Sequence, residues 1–246
     1  MKVLYNETLD WMDQQILIFF SQVPNPRPIP KQNSFALRFV EQTIEQAIIQ
    51  KLVRIVSGLR ASNLLLETGF IQEQAALSRI VNELQDDVCF LAIASLQQTA
   101  PKILTQYLEA FYAEEKTIEQ WRAKERVVGR NQVPRRKILK FIADHSGPQQ
   151  GDLNSDSAIV VGHAFSGYVH GASPHIMEMF DHVNNCFRTD AWPENPFRRG
   201  QEQDIWNYYH RGIIAFALAT KAFGHDGTME HAMAYLDYFE RKSTRR

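Results

Sequence analysis

The run SFALRFVEQTIEQAIIQKLVRIVSGL, residues 34–59, carries the strongest periodic signal in the chain. Leu37, Val40, Ile44, Ile48, Leu52, Ile55 and Leu59 recur at steps of three or four. That spacing collects side chains on one stripe of an α-helix. Ser34 is placed to cap its start and Gly69 to stop it, with Gly58 between them as a break or a close packing point. A second stripe follows at once through Leu77, Ile80, Leu84, Val88 and Leu91, and it ends near Pro101. Arg79, Glu83, Asp86 and Asp87 fall off that stripe. Two long helices joined by a short turn predict an antiparallel hairpin over 34–97, the spine of the fold.

Working outward, the stretch from Pro24 to Pro30 holds four prolines, so 24–33 reads as an extended Pro-rich connector. Before it, a helix is expected over 7–22, started by Asn6, Glu7 and Asp10 and apolar nearly all round. Such a helix must be buried or docked on a partner chain, which makes a homodimer an expectation. After the spine, a helix over 102–127 begins apolar and ends charged, completing a long-helix region from 33 to 127. A short basic helix is expected at 135–144. Further helical spacing at 155–171, 174–184, 202–223 and 228–241 forms a second layer spanning 155–242. Residues 185–200, with Phe187, Trp192, Pro193, Pro196 and Phe197, read as an ordered loop pinned by aromatic rings. No long strand-like alternation occurs. The fold predicted is all-α, a single bundle of about eight helices over 1–246.

Composition narrows function more than it assigns it. A net charge of −1 gives the chain no general attraction to RNA or to anionic lipid. Cys89 and Cys186 are the only thiols, too few for a disulfide framework and without zinc-type spacing. The expectation is a buried Cys89 and a loop Cys186. The N-terminus lacks a signal-peptide pattern, and runs such as 213–219 are far shorter than a bilayer span of about 20 residues. A cytoplasmic location without membrane contact is therefore expected. The phosphate-cradling and nucleophile-elbow motifs are missing, and no cofactor is implied.

The segment AIVVGHAFSGYVHGASPHIMEMFDH, 158–182, holds four of the eight histidines. On a helix Ala158, Gly162, Ser166 and His170 form one line, and three small side chains leading to an imidazole admit a close neighbour or a ligand. His163 and His170, seven apart, share a face; His175 and His182 repeat the spacing with Glu178 between them. An imidazole titrates near neutrality, so His170 is a candidate acid or base, with His163 as a second polar group. Ser166, Tyr168 and His175 are candidate binding residues beside them. Residues seven apart lie about 10 Å apart along a helix, too far to hold one ion unaided, so no metal set is assigned. A metalloprotein with His and Glu ligands is kept as an alternative. Arg79 and Glu83, four apart, are either a surface ion pair or, if inward, a ligand-positioning pair. Arg188, Arg198 and Arg199 flank the aromatic loop, where phosphate contact with RNA would fall.

The runs ASNLLLETGFIQEQAALSRIVNEL and SGYVHGAS resemble segments of bacterial helical proteins related to the HEPN superfamily. The resemblance covers 62–97 and 158–182. It implies a bundle on long antiparallel helices, frequently dimeric, in stress or defence settings, with a ligand- or partner-binding role. Active members are metal-independent ribonucleases with an Arg four to six residues before a His. Here that His would be His170, but no Arg precedes it at that spacing. His163 is no substitute, because an imidazole does not stay cationic at neutral pH as a guanidinium does.

Overall fold

The computed structural model describes residues 1–31, 34–97, 101–114, 132–145, 165–224 and 226–244. Helices dominate it, as the periodicity predicts. The long ones are α1 (Lys2–Phe20), α2 (Ile44–Thr68), α3 (Ile71–Ser95), α4 (Lys102–Tyr112), α5 (Arg135–His145), α6 (Arg198–Ala222) and α7 (Asp226–Thr244). Residues 165–170 are also helical, followed by a single turn at Ser173–Ile176 and a 3-10 turn at Met177–Met179.

The spine is the antiparallel pair α2 and α3, but its cap is Thr43, nine residues later than Ser34. Thr43, not Ser34, caps α2: its hydroxyl accepts from Gln46 N at 3.3 Å, and Gln46 Oε1 accepts from Thr43 N at 3.1 Å. This reciprocal pair satisfies two of the amides that a helix start leaves without partners. Residues 34–38 instead form strand β2 (Ser34–Arg38), antiparallel to β1 (Arg27–Lys31) inside the expected connector. Leu37 and Val40 are exposed, so their three-or-four spacing belongs to no helix. Pro28 and Pro30 are opposite Leu37 and Phe35 in that hairpin. Alternate pairs in an antiparallel ladder need no N–H between the strands, which is where proline is tolerated.

Gly69 does stop α2. It sits at φ 90°, ψ 16°, a left-handed conformation that glycine takes without penalty, and its N–H returns to Leu65 O at 3.0 Å. Phe70 and α3 follow directly, so the pair is tight. On the other side of α3 lies α6, which in turn packs on α7. α1 lies across α2, α6 and α7 of its own chain. Its buried residues include Leu9, Met12 and Phe19, with Tyr5 stacked on Tyr209 at 4.3 Å and Trp11 on Tyr235 at 4.4 Å. It starts at Lys2 rather than Asn6, and its apolarity is largely used within the chain.

The second layer is less helical than expected. The 174–184 helix gives way after Met179 to a small hairpin, β3 (Phe180–Asp181) with β4 (Cys186–Phe187). Asp181 closes its turn by accepting from Val183 N, Asn184 N and Asn184 Nδ2. Asn185, at φ 51°, completes the turn in a conformation that asparagine tolerates better than most residues. Cys89 is buried, and desolvation pushes its thiol up to about 12; Cys186 is exposed. Among the described residues no helix is long and apolar enough to cross a membrane.

The β1–β2 hairpin is tied to the body through Glu114, which accepts from Arg38 and from Lys31 at 3.2 Å. Those two hydrogen-bonded cations hold the Glu114 carboxyl down to about 2. A depressed acid contributes above its ordinary range and loses the contribution as pH falls toward its folded value. Protection of the amides in β1 and β2, taken relative to the intrinsic exchange rate at each pH, is therefore expected to fall between pH 4.5 and 2, and Glu114→Gln to show no such step. Equal slopes in both proteins would refute the tether.

Candidate functional site

Helix α3 buries a polar line as well as an apolar one. Gln74, Ser78, Asn82 and Asp86 are spaced four apart, and all four are buried, as are Gln85 and Asp87. Buried polar atoms need partners, and most of these have them. Gln74 Nε2 donates to Ser78 Oγ at 2.8 Å and to Ser62 Oγ at 3.3 Å, while Gln85 Nε2 donates to Tyr208 O at 2.6 Å. Nearer the C-terminal end of α3 the line becomes ionic. Asp86 accepts from Arg211 Nη2 at 2.5 Å and from Arg135 Nη2 at 2.7 Å. Asp87 accepts from Lys51 Nζ at 2.8 Å and also from Arg135 Nη1. Arg211 additionally donates to Asn82 Oδ1.

Four helices supply this network: α2 gives Lys51, α3 both aspartates, α5 Arg135 and α6 Arg211. With side-chain exposures of 6% and 10%, Asp86 and Asp87 have little water to fall back on. The carboxylates hold Arg135 charged: its pKa is raised even though burial, the largest single influence, pulls the other way. Arg135 thus locks the start of α5 to α3.

Beside the network lies a cavity of about 360 Å³, at the small end of the range for ligand pockets. Lys51, Asp87 and Arg135 form its charged wall, Tyr107, Phe111, Val133 and Ile138 its apolar one, and Glu83 and Gln132 also line it. Lys51 Nζ lies 4.8 Å from the Phe111 ring centre and 5.6 Å from that of Tyr107, within cation–π range. The Tyr107 hydroxyl is buried, and among the described residues no side chain or backbone group meets it with hydrogen-bond geometry. Burial, reinforced by the nearby Asp87 charge, raises its pKa well above the usual phenol value, so it is a neutral O–H donor.

Of the residues singled out in the sequence, Arg79 and Glu83 do pair, at 2.6 Å. The pair is partly exposed, and Glu83 also lines the cavity. Tyr168 and His175 meet edge to face with ring centres 4.2 Å apart. Tyr168 Oη donates to Glu178 at 3.0 Å and accepts from Gln201 Nε2 at 3.3 Å; Gln72 Nε2 donates to Glu178 at 3.1 Å and to His175 O at 2.8 Å. These bonds clamp the 165–179 segment onto the start of α3. Gly167 allows the clamp, because a Cβ there would lie 2.1 Å from the His175 ring.

Ser166 is half-buried and His170 is exposed at the end of its helical run. His163, Gly162 and Ala158 lie outside the described residues, and with them the proposed small-residue line. His182 sits in the β3–β4 turn, so the helical spacing of His175, Glu178 and His182 does not apply. Among the described residues no three His, Cys, Asp or Glu side chains are grouped as metal ligands would be. Arg188 is engaged with Asp190 and lies over Trp192, and Arg198 with Glu202, which uses up two of the three loop arginines.

Periodicity alone did not reach Lys51, Asp86, Asp87, Tyr107, Phe111, Arg135 or Arg211. The one local signal was the four-spaced polar line from Gln74 to Asp86, a stripe as regular as the apolar one. The site defines a helical protein with a half-open, charge-lined cavity. Comparison with known proteins finds no matching family, no matching curated protein and no matching solved structure.

Proposed function

We propose that this chain is a ligand-binding helical protein whose binding site is the cavity walled by α2, α3, α4 and α5. The observation that carries this reading is the pairing of a fixed ionic wall with aromatic faces around roughly 360 Å³ of space. Ligand sites combine an apolar lining with a few immobilised polar groups in this way. A setting in bacterial stress or defence, implied by the sequence resemblance to HEPN relatives, is part of this proposal. His170, exposed at the end of its helical run, does not line this cavity.

Fragment binding followed by NMR on the full chain tests the proposal. Ala110 lines the cavity and is only half-buried, so Ala110→Phe is expected to fill the space and leave the fold intact. Fragments that perturb the α4 and α5 resonances should lose at least tenfold in affinity against that variant. Binding that ignores the plug would reject the site. RNA cleavage in EDTA that disappears in His170→Ala would favour the ribonuclease alternative instead.

A further inference from the structure

The charges around the cavity do not cancel. Lys51, Arg135 and Arg211 share two carboxylates, Asp86 and Asp87, leaving a surplus of one positive charge, while Arg79 and Glu83 neutralise each other. The three cations are only partly in water, with side-chain exposures of 14%, 29% and 24%, so an opposite charge that completes the set is favoured there over one in bulk solvent. The two cations that face the open space are Lys51 and Arg135. Next to them Tyr107 is more than nine-tenths buried; its hydroxyl lies beside the Asp87 carboxylate, yet among the described residues no group meets it with full hydrogen-bond geometry, and it has a proton to give. The apolar groups of Phe111, Val133 and Ile138 line the same space.

Resting on the binding role proposed above, we infer that the ligand is a small organic monoanion: a carboxylate carried on a flat apolar or aromatic group. The carboxylate completes the charge set at Lys51 and Arg135 and accepts from Tyr107 Oη. Its hydrocarbon part lies against Phe111, Val133 and Ile138. One negative charge suits the surplus of one; a phosphate, carrying about −1.5 to −2 at neutral pH, overcompensates it and leaves the apolar wall empty.

Calorimetry on the full chain at pH 7 and low salt compares benzoate, phenylacetate and indole-3-carboxylate with their amides and with inorganic phosphate. At least one carboxylate is expected to bind one to one, its amide about tenfold or more weaker. Tyr107→Phe should weaken that carboxylate by about tenfold, the scale of a hydrogen bond to a charged group. The same variant should change the melting temperature far less than the affinity, since the Asp87 carboxylate beside the hydroxyl is already held by Lys51 and Arg135. A structural tyrosine would do the opposite, losing stability with no change in affinity. Amides or phosphate binding as tightly as the carboxylates, with the Ala110→Phe plug still blocking them, would overturn the anion assignment and leave the binding role standing. If no compound of any charge is blocked by the plug, both fall.

Discussion

Asp86→Ala is expected to destabilise the protein by about 3 kcal/mol, the lower end of the ~3–5 kcal/mol range for removing one partner of a buried ion pair. The aspartate receives Arg135 from one side and Arg211 from the other, and is itself buried. Without it, two guanidiniums face each other across a space that water enters poorly. The lower end applies because Arg135 and Arg211 keep side-chain exposures of 29% and 24%, enough to recover some hydration. Asp86→Asn, which retains an acceptor oxygen but no charge, should lose roughly half as much. Urea unfolding at neutral pH measures both. A loss below about 1 kcal/mol for the alanine variant would mean that the network is not a keystone of the fold.

The second large effect is expected at Gly69→Ala, at about 2–4 kcal/mol. Two costs add there. Holding alanine at φ 90° costs on the order of 1–2 kcal/mol. The new Cβ would also lie 2.3 Å from Trp192 C and 2.4 Å from Pro193 N. Those are backbone atoms, so no side-chain rotation relieves the overlap, and the 192–193 peptide must move. That motion also breaks the bond from Trp192 N to Gly69 O and disturbs the Arg188 guanidinium over the Trp192 ring. Thermal unfolding gives the size of the effect, and faster amide exchange in 188–196 would locate it. Gly200→Ala is the control: it lies in α6 with nothing within 4 Å of its Cβ position, so it should be neutral or slightly stabilising. Equal effects at the two glycines would show that the contact between Gly69 and Trp192 does not hold the loop.

The two results bear on how the site is held. Asp86 joins α3 to α5 and α6, so it positions Arg135 on the cavity wall. Gly69 sets the exit of α2 and hence the facing of Lys51 against Asp87. Neither residue touches the open space, and both decide whether its walls meet.

Local pattern in this chain decided which segments are helices and where several of them stop. Ile48, Leu52, Ile55 and Leu59 are buried on one stripe of α2 with Ile44 partly buried at its start, and Gly69 ends it, because burial of one face and a left-handed stop each leave a mark within a few residues. Tertiary structure decided the rest. Asp86 and Asp87 read as solvent-facing until Arg135 and Arg211, 49 and 125 residues further along, arrive to pair with them. Ile80, read as core, is exposed instead. Hydrophobic periodicity records how readily a side chain leaves water, whereas a buried charge is stable only through a partner that the fold delivers, and that partner has no fixed spacing in the chain.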